Sequence, residues 1–184
     1  MIEDVIFEYL KEYADSSQRK PSTATVSMLR KKPEESFSVI ADYSGKLPQK
    51  LDPRDLNEPL GRLLLCIIDL IPALLIPRMT SGFWASRYLF IGSAAASKAE
   101  LFVPTIIDLL SDRSIYVKNL VLTLIAQYPH LRVPDALPKL EKLSGMKSYK
   151  NDYDRQYLEK ALAAVAKAHN KQMQSDAAKA APLI

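Results

Sequence analysis

The sequence predicts an all-α chain built as a short solenoid of antiparallel helix pairs, and three observations predict it. The 184 residues include only five Gly and are rich in Ala, Leu, Ile and Lys, a helical composition, while the 12 Pro must sit at helix starts and in connections. Apolar residues recur at the spacing of one helical face, as at positions 2, 5, 6, 9, 10 and 13. An apolar-Pro dipeptide recurs in matching context at Ile71-Pro72, Val103-Pro104 and Leu137-Pro138, 32 and 34 residues apart. Units of that period are too small to bury an apolar face alone and therefore stack.

The first helix is expected over 2–13. Residues 15–25, rich in Ser, Thr, Gln and Lys with Pro21, form a connection, followed by a short helix through Arg30. Pro33 at a first helical position, with Glu34 and Glu35 beside the positive end of the helix dipole, starts a helix that runs to about Tyr43 and stops at Gly45. Residues 46–59, with three prolines, read as irregular or only partly helical.

The repeats follow. Residues 60–76 form a long apolar helix interrupted at Pro72, and Ser81 caps a partner over 82–96. Residues 98–110 form the next first helix, and Ser114 caps a second helix ending near Tyr128-Pro129. Residues 134–144 form another first helix closed by Gly145. Asp152, or Asn151 just before it, caps the last long helix, which continues to about Lys171. Three helix pairs result, over 59–169. Residues 1–58 form an N-terminal cap or a divergent repeat, and 170–184 a flexible tail, small, polar and Ala-rich, with fraying or disorder beyond about Lys171.

Composition narrows the function classes. The single Cys66, inside an apolar run, leaves no disulfide framework or Cys cluster for zinc and reads as a buried, inert thiol. The start Met1-Ile2-Glu3-Asp4 lacks a basic segment followed by an apolar one, so the cytoplasm is the expected location. The longest apolar stretch contains Arg62, Asp69 and Pro72, which a lipid-facing span tolerates poorly, so no membrane partner is expected. Basic and acidic residues number 9 and 11 in 1–58, 4 and 4 in 59–112, and 12 and 6 in 113–184, placing the excess at the C-terminal end. Lys139, Lys142, Lys147, Lys150, Lys160 and Lys167 are spread as solvated helix faces usually are, with no compact cluster of Arg and aromatic residues.

Two copies align without a gap at an offset of 32: Ile71-Pro72-Ala73-Leu74-Leu75 meets Val103-Pro104-Thr105-Ile106-Ile107, and Trp84-Ala85-Ser86-Arg87 meets Tyr116-Val117-Lys118-Asn119. With Pro104, Asp112, Val117 and Lys118 the chain resembles the HEAT repeat family. That family carries a proline in the first helix, an Asp at the turn, and a Val and a basic residue early in the second helix. The flanking copies, marked by Pro72 and Pro138, depart from the pattern: the earlier has Thr80, Ala85 and Ser86 at those places, and the later a longer connection over 146–151. The resemblance implies a short right-handed α-solenoid of HEAT-like antiparallel helix pairs, with contacts on the concave side lined by the second helices. Asp112 is expected to accept from amides at the next helix start or to pair with Lys118.

No Gly-rich phosphate loop, paired His at helical spacing or Gly-x-Ser-x-Gly is present, so neither a catalytic set, a cofactor nor a metal is expected. His130 and His169 are isolated, and Asp152 and Asp154 suit a cap and a first helical turn. What remains is surface. By helical phase the candidate contacts to another protein are Trp84, Arg87 and Tyr88, then Tyr116 and Asn119, then Tyr153, Arg155 and Gln156, because aromatic and Arg residues anchor interfaces. Trp84 and Tyr88 fit a core equally well.

The ending NKQMQSDAAKAAPLI resembles the translated recombination sites that close some bacterial integron gene cassettes, which implies a mobile, accessory bacterial gene. The leading expectation is a non-catalytic protein-binding scaffold, of the immunity or antitoxin kind. The alternative is a nucleic-acid protein similar to the HEAT-like DNA glycosylases, for which Trp84, Asp112 and Arg113 are the nominees.

Overall fold

A computed structural model of the chain describes residues 1–15, 20–45 and 53–180. All regular structure among the described residues is helical: ten α-helices and several 3-10 turns, with no strand. No helix among them is long and apolar enough to cross a membrane. The residues divide into two compact units, Met1–Phe102 and Val103–Ile184.

In the first unit α1, Ile2–Asp15, turns Ile2, Ile6 and Tyr9 inward and packs chiefly on α3. α2, Thr23–Lys31, starts at Ser22, whose Oγ accepts from the Thr25 amide at 3.1 Å and so satisfies one of the first-turn donors. Only Lys32 separates it from α3, Pro33–Gly45, where Pro33 opens the helix as its sequence predicts. Ser36 and Ser44 are buried in α3 because each hydroxyl donates to a carbonyl, Leu29 O and Ala41 O.

α4, Pro53–Leu65, takes up the helical part of the stretch expected to be irregular or only partly helical: 53–59 are helical with Pro59 inside the helix, while 46–52 lie outside the described residues. An interior proline costs about 3 kcal/mol, but full burial of Leu60, Leu63 and Leu64 outweighs it at about 1.5–3 kcal/mol each. α4 also runs across the 58/59 position at which the repeats were expected to begin.

The expected single helix over 60–76 is two. α4 ends at Leu65, a 3-10 turn spans Ile68–Leu70, and α5 is Pro72–Thr80. Pro72 therefore opens α5 rather than interrupting a longer helix. A fork from Arg30 fastens the break: Nη1 donates to Cys66 O at 2.8 Å, and Nη1 and Nη2 donate to the two Asp69 oxygens at 2.8 and 2.9 Å. Cys66 is half-buried rather than buried, and its Sγ donates to Arg62 O.

α6, Trp84–Ala96, starts after Phe83, so the expected cap by Ser81 is corrected. Ser81 closes α5 instead, its amide and Oγ both donating to Pro77 O, and Gly82 takes the positive φ of 91° needed to turn the chain. α6 packs mainly on α4 and then on α5. Gly61 of α4 lets the helices approach: a Cβ there would meet Ser93 Oγ at 3.5 Å and Leu89 Cδ1 at 3.7 Å.

The expected helix over 98–110 is also divided, into a 3-10 turn Glu100–Phe102, α7 Val103–Asp108 and a 3-10 turn Leu109–Ser111. In the second unit the Asp112 carboxylate accepts from the Ser114 amide at 2.8 Å, the first of its two expected roles. α8, Ile115–Gln127, begins at Ser114, but the Ser114 side chain makes no capping hydrogen bond.

Arg132, unforeseen, holds the other end of α8 by donating to Ile125 O at 3.1 Å and Ala126 O at 2.7 Å, two carbonyls without helical partners. α9, Ala136–Ser144, ends at Gly145. Lys139 of α9 forms an ion pair with Asp108 of α7. A 3-10 turn Lys147–Lys150 leads into α10, Asp152–Ala180. This helix continues through the stretch beyond Lys171 that composition reads as frayed; residues 181–184 lie outside the described set. α10 packs on α8 through Leu158, Ala161 and Val165, and also on α9.

Candidate functional site

The eight residues singled out by helical phase lie at the starts of α6, α8 and α10. Trp84 is the first residue of α6, half-buried, with its ring 5.3 Å from Phe83 and 5.5 Å from Tyr88, the latter edge to face. Phe83, which phase arguments passed over, is the exposed member at 52 %. Arg87 is only 5 % exposed, and its Nε donates to Met79 O at 2.7 Å near the end of α5. The expectation that Arg87 stands on the surface is therefore corrected: its side chain serves the α5–α6 junction, where a carbonyl near the helix end needs a donor.

In α8 Tyr116 is 53 % exposed, whereas Asn119 is half-buried and committed to a network. Its Oδ1 accepts from buried Tyr149 Oη at 3.2 Å, and its Nδ2 donates to Asp154 Oδ1 at 2.5 Å. Asp154 Oδ2 accepts from Asn151 Nδ2 at 2.8 Å. Asn151 Oδ1 accepts from the Asp154 amide at 2.8 Å, so Asn151 rather than Asp152 supplies the cap to α10. Burial, then the Asp154 charge, push the Tyr149 phenol well above its ordinary range, so it stays protonated and remains a donor. The network sets the first turns of α8 and α10 side by side.

That arrangement brings Tyr116, three residues before Asn119, and Tyr153, one before Asp154, to the same end of the helix pair. Tyr153 is 67 % exposed, and its ring lies edge to face with Tyr157 at 5.5 Å with a hydroxyl–hydroxyl distance of 3.1 Å. Arg155 is exposed and pairs along the helix with Glu159 at 2.7 Å; Gln156 is exposed. Sequence reasoning missed Phe83, Tyr149 and Tyr157. An aromatic at or beside the starts of α6, α8 and α10 is readable in retrospect, but the 35-residue separation of Asn119 and Asp154 leaves no local signal.

The positions matched to the repeat pattern behave as framework. Pro72, Pro104 and Pro138 occupy the first, second and third places of α5, α7 and α9, where the missing N–H is one that the helix leaves unbonded anyway. Val117 is buried in α8, and Lys118 is only 8 % exposed.

An open cleft of about 490 Å³ lies between α1 and α2, lined by Asp4, Glu8, Glu12, Lys20 and Met28 among others, with Asp4 held by the Met1 amine at 2.6 Å. Among the described residues no group of three or more His, Cys, Asp or Glu is placed to hold a metal ion. Burial raises the Cys66 thiol above its ordinary value, while Arg30 acts the other way. Comparison of the chain with protein-family models, curated proteins and solved structures finds no match.

Proposed function

We propose that the chain is a cytoplasmic, non-catalytic protein-binding scaffold whose helices are HEAT-like pairs stacked within each unit. The observation that carries the reading is the exposed aromatic at the start of each second helix: Phe83 before α6, Tyr116 in α8 and Tyr153 in α10, at 52, 53 and 67 %. A lone exposed aromatic is ordinary. Tyr116 and Tyr153 are each the second residue of their helix, and Phe83 stands two positions earlier, immediately before α6; this clustering at three helix starts favours anchors for a partner, since aromatic side chains contribute most when buried at an interface. The stacking reading is supported by the second helices α8 and α10 packing on each other with their first turns adjacent, and by α6 packing on α4 in the other unit.

The test is capture of binding proteins by the immobilised full chain against a Tyr116→Ala/Tyr153→Ala variant and, separately, Phe83→Ala. We expect at least one bound protein to fall by more than tenfold with far-UV dichroism and melting unchanged. Capture identical in all three refutes the reading. The nucleic-acid alternative predicts duplex binding that weakens steeply with salt; in the scaffold reading such binding is absent at low salt. The immunity or antitoxin role and the mobile bacterial origin are proposals that the gene neighbourhood tests, an adjacent toxin gene being the expected finding.

A further inference from the structure

α10 carries an exposed stripe of which the scaffold reading uses only Tyr153. Tyr153, Tyr157, Lys160, Ala164, Lys167 and Lys171 fall at spacings of 4, 3, 4, 3 and 4 residues. At about 100° per residue they occupy an arc of about 80° and run for about 27 Å along the helix. The arc is set well off the buried line of Leu158, Ala161 and Val165. Tyr153 and the three lysines are exposed, and Tyr157 and Ala164 are half-buried.

The stripe is purely cationic. Asp152, Asp154 and Glu159 lie outside the arc; Asp154 is held by Asn119 and Asn151, and Glu159 by Arg155. Among the described residues Lys160, Lys167 and Lys171 make no ion pair. Lys167 and Lys171 stand one helical turn apart, a like-charge spacing that weakens a helix. The chain therefore keeps a repulsion that carboxylates from elsewhere would relieve.

The six positions span 18 residues in five steps, an average of 3.6, so they hold one straight line along α10. A second helix laid along α10 is the element that can follow such a line of charge, and Ala164 in the middle permits close approach. A nucleic acid is the poorer fit, because a single convex helix offers no groove and the two tyrosine rings meet edge to face rather than as parallel platforms. We propose that this stripe docks an acidic helix of a partner protein, with carboxylates opposite Lys160, Lys167 and Lys171 and apolar side chains on Tyr153 and Tyr157. The inference rests on the scaffold reading and names the partner's chemistry.

The test uses the full chain at low salt and three fluorescent probes: a 25-residue helical peptide with Glu at successive heptad a and d positions, a peptide of the same composition with those Glu distributed over all seven heptad positions so that they spread round the helix, and a 20-nucleotide thymidine strand. We expect the first peptide to bind and the other probes to bind at least tenfold more weakly. Lys160→Glu/Lys167→Glu/Lys171→Glu should weaken the first peptide at least tenfold with unchanged melting, and Tyr153→Ala severalfold. Equal binding of both peptides, binding unchanged by the triple charge reversal, or preference for the nucleotide strand each overturns the proposal. A dimer in sedimentation that the triple reversal disperses also overturns it, in favour of a second copy. Should the triple variant retain proteins that Tyr116→Ala/Tyr153→Ala loses, the stripe fails and the scaffold reading stands.

Discussion

Replacing Asn119 by Ala should cost about 2–3 kcal/mol. The side chain bridges two elements: its Nδ2 donates to the Asp154 carboxylate at 2.5 Å and its Oδ1 accepts from Tyr149 Oη at 3.2 Å. A hydrogen bond to a charged group contributes about 1.5–3 kcal/mol, and an orphaned buried donor costs about 1–3 kcal/mol. The lower ends apply, since Asp154 keeps Asn151 and water can reach the half-buried position. At about 2–4 °C per kcal/mol for a chain of this length, melting should fall by about 5–10 °C. The assay is urea unfolding followed by dichroism, run as a double-mutant cycle with Tyr149→Phe. The coupling should be about 0.5–1.5 kcal/mol, because the two residues share one bond. A loss below about 0.5 kcal/mol for Asn119→Ala, or additive single effects, would refute the claim that this network sets α8 against α10.

Arg87→Ala should destabilise by about 2–4 kcal/mol in thermal or urea unfolding, through the cavity and the unpaired Met79 carbonyl, and Arg87→Glu by more; a surface arginine would show neither. Gly61→Ala should stabilise by about 0.5–1 kcal/mol, because the added methyl meets Ser93 and Leu89 at ordinary contact distance, while Gly61→Leu should lower the melting temperature by pushing α4 from α6. The Arg30 fork, chiefly by hydrogen bonding, holds the Asp69 carboxyl below its ordinary 3.8. Its contribution is present above that value and is lost as pH falls through the lower folded one, so a carboxyl NMR titration should give Asp69 a midpoint below 3.8 that returns toward it in Arg30→Gln.

Much of the helix map is legible from residue order. Pro33, the acids that follow it and Gly45 bound α3 as read, and Gly145 closes α9. These signals are local: a fixed proline φ, an orphan amide or a glycine stop acts within a turn of its own position. Where the reading failed, a distant partner decided the outcome. The expected single helix over 60–76 breaks after Leu65, where Arg30, 36 residues before Cys66, donates to the freed carbonyl. Ser81 and Ser114 both stand where caps are common, yet neither caps the following helix; the Ser81 hydroxyl bonds back to Pro77 O.

The candidate contacts divide in the same way. Helical phase places Tyr116, Tyr153, Arg155 and Gln156 on exposed positions, and the fold leaves them there. It also selects Arg87 and Asn119, which the fold turns to internal bonds. Phase distinguishes one side of a helix from another, but α6 has neighbours on two sides, α4 and α5, so a position opposite one packed face lies under the next.

Residue order by itself thus determined the all-helical class, the start of α3 at Pro33 and the exposed places of Tyr116 and Tyr153, because propensity, ring constraint and orphan backbone groups act over a few residues. Tertiary structure alone decided that Arg87 is buried, that Asn119 joins α8 to α10, and that three lysines of α10 stand without carboxylate partners among the described residues. Burial and pairing depend on which surfaces meet, and those surfaces come from segments about 8–36 residues apart in the chain.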